Sequence, residues 1–326
     1  MKKKVVILYP EIKEKDNEDV IDTIEQVRLV EKALEKLNYE VHLLECTLNL
    51  LEISKSLIQI KPDFCFNLVE HFNNDGKMIC LFPMLLENHD IPYTSPDSKN
   101  MFITTNKVLC KELLISYKLK TPPFIYNNKI YGDIHFPQRF IIKPVYSDGS
   151  LFIDEDNIMI FSSLNECQKA INNFNERYKK DFFAEIYIDG REFNVSLLCY
   201  KNRCEIFPLA EIIFKDYPEN KPKILSYNAK WVEHSFEYKN TIRNFNFLEK
   251  DKPLLEKIKD ICQKSYENFN LRGYVRIDIR VDKEDNIYII EININPSLGK
   301  DAGYVAAANE YGLSFEELIK KIIETI

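Results

Sequence analysis

RIDIRVDKEDNIYIIEININPS, residues 276–297, reads as a β-hairpin. Two runs of alternating apolar residues, Tyr274–Val281 and Ile287–Ile294, flank the polar segment Asp282–Asn286, the pattern of two strands joined by a turn. Side chains alternate faces along a strand, so Arg276, Asp278 and Arg280 share one face of the first. Glu291, Asn293 and Asn295 share one face of the second, which leaves Ile290, Ile292 and Ile294 for the other. If the charged faces coincide, one surface gathers two carboxylates, a carboxamide and a guanidinium. Asp278, Glu291 and Asn293 offer hard oxygen donors. These suit Mg²⁺, which takes one or two carboxylates and leaves its other positions to water and phosphates. Arg276, two residues from Asp278, is placed to hold an anion beside the ion. Alternation alone favours the solvated outer face of an ordinary amphipathic hairpin. The Asn295-Pro296 break favours a site, because a solvated meander would normally turn on Gly or Asp. The face is expected to be open to solvent.

The 326 residues can hold two or three domains around substantial cores. Hydrophobic residues make up 45% and charged residues 29%, an ordinary soluble composition. With a formal charge of −7, no global field draws nucleic acid or anionic membrane. The start, MKKKVVILYPE, has a basic tip, but its apolar run is too short for a signal peptide. No run reaches the length of a membrane span. The eight cysteines lack any CxxC spacing, which favours reduced, mostly buried thiols in a cytoplasm. The five histidines show no HExxH or similar spacing, so nothing argues for zinc.

Taken in order, Lys4–Tyr9, Glu40–Leu44 and Asp63–Asn67 read as strands. Asp19–Leu37 and Met78–Asn88 read as helices. This alternation predicts a small parallel α/β domain ending near Pro96. Thr104 and Thr105 are candidate N-caps for a helix over NKVLCKELLISYKL, on which Lys107 and Lys111 share a face. Arg139–Lys143 is a strand closed by Pro144. The loop VYSDGSLF follows, whose Ser147–Ser150 segment can offer backbone N–H groups to a phosphate. Asn165–Tyr178 is helical and Phe182–Ile188 a strand. Glu192–Tyr200 and Glu205–Pro208 look like antiparallel partners. Residues 215–245 are polar, aromatic and irregular, the character of a functional lid. Leu254–Phe269 and Ser314–Ile326 close the account as helices.

Lys107, Lys143 and Lys230 stand near a helix start, at a strand exit and in the loop SYNAKW. Each alone reads as a solvated surface lysine. Glu185, mid-strand in an apolar run, needs a partner if buried. An adenine amino group or a neighbouring lysine would serve.

Taken together, six segments in order resemble the D-alanine–D-alanine ligase branch of the ATP-grasp enzymes. They are FNLVEHFNNDG–IPYTS at 66–95, TTNKVLCKELL at 104–114, IIKP at 141–144, AEIYIDGREF at 184–193, YNAKW at 227–231, and GYVRIDIRV–YIIEININPS at the end. The resemblance implies an α/β chain of the α+β ATP-grasp type. A pre-ATP-grasp domain (1–98) precedes a central lobe (99–188) and a C-terminal lobe with the metal site (189–326), the two lobes clamping ATP. It implies a carbon–nitrogen ligase that phosphorylates a carboxylate and lets an amine displace phosphate. Lys107 and Lys143 match residues on the nucleotide phosphates. Glu185, Tyr187 and the Ile188 backbone match the adenine strand, and Glu192 the ribose carboxylate. Lys230 matches the lysine of a closing loop, Ser150 the first serine of the phosphate loop, and Arg276 the arginine beside the transferring phosphoryl group. Asp278, Glu291 and Asn293 match the ligands of Mg²⁺, with Mn²⁺ the alternative. The implied partners are ATP, an acid and an amine, in a cytoplasmic enzyme of a family that often dimerises.

The departures fall in the phosphate loop and on the substrate side. Leu151 and Ile153 replace a second serine and a glycine, and Trp231 stands where the family has tyrosine. Ala302 occupies the position of a substrate-carboxylate serine. The first amino group has only Glu18 or Asp19 as a match, while Glu70, His71, Trp231 and Ser297 are the candidates to face the substrate. These departures predict a ligase for something other than D-alanine. A scaffold that has lost ligation and a kinase of a small acceptor are the rival readings. The complete metal set argues against the scaffold.

Overall fold

The computed structural model describes residues 2–11, 18–72, 75–146 and 149–326, with the backbone alone for residues 18–21. The first part contains β1 (Lys4–Pro10), α1 (Glu18–Lys36), β2 (Glu40–Cys46), α2 (Leu50–Ile60), β3 (Phe64–Asn67) and α3 (Leu81–Asn88). Its three strands form a parallel sheet in the order β2-β1-β3. All four residues of β3 are buried, as expected of a parallel strand covered on both faces. Val27, Val30 and Leu34 of α1 cover one face of this sheet. Ile53 and Leu57 of α2, with Phe82 and Leu86 of α3, cover the other.

Two helices then turn the chain into the rest of the molecule: α4 (Ser98–Thr105) and α5 (Lys107–Ser116). The expected caps Thr104 and Thr105 instead lie inside α4, where their hydroxyls donate to the carbonyls of Asn100 and Met101. The cap of α5 is Asn106, whose side chain accepts from the Leu109 N–H at 3.0 Å. All three residue types cap well, so their order in the sequence does not choose between them.

A second sheet follows, built from β4 (Phe124–Tyr126), β5 (Lys129–Tyr131), β6 (Gln138–Pro144), β7 (Ile158–Phe161) and, after α6 (Leu164–Tyr178), β8 (Phe182–Ile186). It is antiparallel in the order β5-β4-β8-β6-β7, with α6 packed on one face. The third sheet begins with β9 (Arg191–Cys199), β10 (Cys204–Ile206) and β11 (Ala210–Phe214). The lid region 215–245 is more regular than its composition suggests. It contains α7 (Tyr227–Trp231), α8 (Phe236–Asn240) and β12 (Thr241–Asn244). Next come α9 (Lys252–Phe269), the hairpin β13 (Gly273–Val281) and β14 (Ile287–Ile294), and finally α10 (Gly303–Glu310) and α11 (Phe315–Ile323). The sheet order is β12-β11-β9-β13-β14, with β10 also on β9.

Helix α5 links the two later sheets. Cys110 and Leu114 join α9 in the core behind the third sheet, where Val275, Ile277 and Ile279 of β13 also point. Lys107 and Lys111 adjoin Cys110 and Leu114 on the same broad face of α5 and are buried too. Among the described residues no helix is long and apolar enough to cross a membrane. Seven of the eight cysteines are buried, and burial pushes a thiol such as Cys65 up to about 12, which makes it a poor nucleophile.

Candidate active site

Strand pairing settles the question of the two charged faces. Arg276 lies opposite Asn293 and Asp278 opposite Glu291, and directly opposed residues project from the same face. The register then shifts, because Ile279 pairs with Ile289. Ile290 is the extra residue of a β-bulge, which re-aims a side chain. It lines the cleft with Glu291 rather than packing behind with Ile292, as strict alternation predicts. Asn295 also departs from expectation. It lies past the strand end at φ 59°, buried, donating to the Val69 carbonyl and accepting from the Tyr274 hydroxyl. It ties the hairpin to the first sheet.

The cleft between the second and third sheets encloses about 800 Å³, counting space open to solvent. Lys107, Lys143, Ser150, Glu185, Tyr187, Ile188, Glu192, Lys230, Asp278, Glu291 and Asn293 all line it. Apolar walls come from Pro122, Ile141, Ile153, Ile224, Leu225 and Ile290. A concave, partly apolar space with convergent polar groups is the form of a small-molecule site.

The charges are arranged as internal pairs. Asp278 accepts two bonds from Arg276, at 2.8 and 2.9 Å, and one each from Asn194 and Asn293, at 2.8 and 2.9 Å. It is only 8% exposed, while Arg276, Glu291 and Asn293 are half-buried, so this face is partly enclosed rather than the open surface expected. Lys107 Nζ lies 2.5 Å from Glu291. Burial would raise the Glu291 carboxyl, but Lys107 foremost, with Lys143 and Lys230, holds it below the usual carboxylate range. Glu185 is fully enclosed between Lys111 at 2.6 Å and Lys143 at 2.5 Å. Burial works against its charge, and the two ammoniums outweigh burial to keep its carboxyl low. The neighbouring-lysine alternative for Glu185 is therefore met. Lys111, which shared a face with Lys107 in the sequence but was given no role, is one of its two partners.

The lid reaches the cleft from above. Lys230 is half-buried. Desolvation, then the nearby Arg276 guanidinium, lowers its proton affinity, against Asp278, Glu291 and Glu192. Ser150 Oγ donates to the Leu225 carbonyl at 2.6 Å, and Trp231 Nε1 donates to the Gly149 carbonyl at 2.9 Å. The lid is thus fastened to the loop after β6. Of that loop's expected phosphate-binding residues, Ser147 and Asp148 lie outside the described residues.

The substrate candidates lie apart from this cleft lining. Glu70 accepts from Gln26 at 2.9 Å, and half-buried His71 follows it. Ser297 Oγ donates to Asp22 at 3.2 Å. Gln26 also accepts from the Leu298 N–H. The side chains of Glu18 and Asp19 lie outside the described residues. The acid that reaches the loop after Asn-Pro is Asp22, one turn further along α1. A scan for an acid at the helix start overlooks it.

Lys111→Met should lower the free energy of unfolding by about 3 kcal/mol or more, because breaking a buried pair leaves a carboxylate under-compensated. Urea unfolding of the purified variant checks this; a loss under about 1 kcal/mol would mean Lys143 alone suffices.

The profile of the family described as D-Ala D-Ala ligase C-terminus matches residues 126–324. A D-alanine–D-alanine ligase of Aquifex aeolicus is 28% identical over 300 residues, covering 91% of this chain and 92% of the relative. The D-alanine–D-alanine ligase of Bacillus anthracis, solved in complex with ATP, superposes with a TM-score of 0.69 at 19% identity. That match covers 99% of this chain and 97% of the other. VanG D-Ala:D-Ser ligase of Enterococcus faecalis gives 0.68 at 14% identity over 100% and 99% of the two chains. The fold is that of the ATP-grasp ligases, and the chain belongs to the D-alanine–D-alanine ligase family of ADP-forming carbon–nitrogen ligases.

Proposed function

We propose that this protein joins a carboxylic acid to an amine through an acyl phosphate, and that its best product is not D-alanyl-D-alanine. One observation carries the ligase reading: two carboxylates and a carboxamide on paired strands meet three lysines, from α5, β6 and the lid, in one cleft. Phosphoryl transfer relies on positioning and charge stabilisation, and this cleft supplies both without a protein nucleophile.

The base would lie between the apolar walls with its edge on the strand end at Glu185–Ile188, Tyr187 included. The ribose hydroxyls would meet Glu192. Lys107 and Lys143 would exchange their carboxylate partners for the phosphates. The donor set fits Mg²⁺, or Mn²⁺, because Asp278 and Glu291 supply two carboxylates and Asn293, whose N–H already serves Asp278, retains its amide oxygen. Such an ion, when bound, would neutralise phosphate charge. An oxygen of the acid attacks the γ-phosphorus, the bond to the bridging oxygen breaks and ADP departs. The amine nitrogen then attacks the acyl carbon, phosphate leaves and the nitrogen gives up a proton. Lys230, from the cleft lining, and Arg276, held on Asp278, would stabilise the transferring charge. The fastened lid, with Ser150 as one anchor, keeps water from the acyl phosphate.

The specificity reading rests on the other end of the site. Trp231 commits its N–H to Gly149 and brings no hydroxyl, and Ala302 brings none either. Asp22, Glu70, His71 and Ser297 would supply the polar contacts to the substrate. The reading places the enzyme in the cytoplasm, takes a homodimer from the family, and assigns residues 1–98, 99–188 and 189–326 to three domains.

The test is ATP with pooled amino acids and small acids, read by ADP release and product mass. ADP release should require both an acid and an amine, and the product should be an amide. D-Ala-D-Ala as the best product would refute the specificity. Release with a single phosphorylated acceptor would make the protein a kinase, and no release with any pair would favour a scaffold.

A further inference from the structure

Among the described residues that line the cleft, Arg280 is a cation for which the chemistry above has no use. It lies opposite Glu192 on the neighbouring strand β9, and its guanidinium sits 2.6 Å from that carboxylate. Both residues are about 5% exposed. The remaining donors reach three other backbones. Nη1 points to the carbonyls of Ile188 and Gly190, at 3.4 and 3.5 Å. Nη2 contacts the carbonyl of Lys223, where the lid begins its return over the cleft. The plane is flanked by the rings of Tyr187 and Phe214, each 5.8 Å from the guanidinium carbon. Tyr187 reinforces the lid contact, since its hydroxyl accepts from the Lys223 N–H at 3.0 Å. Gly190 allows the close approach: a Cβ there would lie 2.0 Å from the Val281 carbonyl oxygen.

A buried guanidinium with this many acceptors is a rigid fork. It holds together a carboxylate, the end of the strand that meets the base, and the first residue of the lid's descending limb. Beyond Lys223, Ile224 and Leu225 form the roof of the cleft. We propose that Arg280 is a positioning residue for the nucleotide. It aims Glu192 at the ribose hydroxyls and pins the lid over the base, so that recognition of the sugar and closure of the site depend on one side chain.

This rests on the ATP-site reading given above, and the test separates the two. Binding of ATP and of 2′,3′-dideoxy-ATP is measured by calorimetry for the wild-type protein, Arg280→Met, Arg280→Lys and the double variant Arg280→Met/Glu192→Gln. A site built to pair with hydroxyls rejects an analogue that lacks them. The wild type should therefore favour ATP by about tenfold or more. In Arg280→Met the preference should shrink to within about twofold, and ATP should bind about tenfold more weakly. Limited proteolysis should cut the lid of that variant faster. Arg280→Lys should restore part of the preference. The double variant leaves no uncompensated carboxylate, so it keeps lid protection readable if Arg280→Met folds poorly, and its lid should be cut as fast as that of Arg280→Met. A folded Arg280→Met that keeps the wild-type preference and lid protection, or a double variant that keeps the wild-type lid protection, overturns the Arg280 proposal alone. A wild type that binds no ATP overturns both.

Discussion

Glu291→Gln should lower ATP-dependent turnover by about 10²–10³-fold, the scale of losing one group that stabilises transition-state charge. Glutamine keeps the shape and removes the negative charge that an ion would need. The structural effect should be small by comparison. The pair with Lys107 sits at a site where Glu291 is still 22% exposed, and losing a charged hydrogen bond costs about 1–3 kcal/mol. Glu291→Gln is also a cleaner probe than any change at Asp278. That carboxylate is the hub for Arg276, Asn194 and Asn293, so its removal leaves a buried guanidinium unpaired and confuses loss of site with loss of fold. Steady-state ADP release beside a thermal melt checks the prediction. A melting temperature that collapses as after a core truncation would support the purely structural reading of the hairpin.

Lys230→Ala should reduce kcat by about a hundredfold or more and change stability little. The residue belongs to a five-residue helix in the lid, and only Ala229 of that helix is buried. Its ammonium faces Asp278, Glu291 and Glu192 while burial and Arg276 disfavour its charge. Such a group gains most when phosphate oxygens arrive. Lys230→Arg should recover part of the rate, because it restores the positive charge. Single-turnover measurement of ADP formation distinguishes a defect in transfer from one in product release. Unchanged single-turnover rates would place Lys230 outside the chemistry.

The hairpin was legible because period-two alternation puts Arg276, Asp278, Glu291 and Asn293 on faces that pairing merely had to align. The bulge at Ile290 was not, since an extra residue leaves no trace in a run of isoleucines. Lys107 and Lys111 were readable as one helix face, yet their carboxylates lie far along the chain, at Glu291 and Glu185. Distances of that kind are set by the packing of sheets. Asp22 and Ser297 are likewise 275 residues apart. Arg280 was on the correct face in the sequence, but its meaning comes from Glu192 across the strand and Lys223 in the lid. Helix α2 could have been found, because Ile53, Leu57 and Ile60 recur at helical spacing. The regular structure in the lid was hidden by its polar and aromatic composition, for α8 buries no residue at all.

The account is tested most directly by a crystal grown with Mn²⁺ and a non-hydrolysable ATP analogue, with the ion placed by its anomalous signal. The account predicts Mn²⁺ in direct contact with Asp278, Glu291 and Asn293, at about 2.0–2.6 Å as for hard-oxygen sites, and bridged to the nucleotide phosphates. An ion bound elsewhere, or a nucleotide whose phosphates lie away from Lys107 and Lys143, would contradict it.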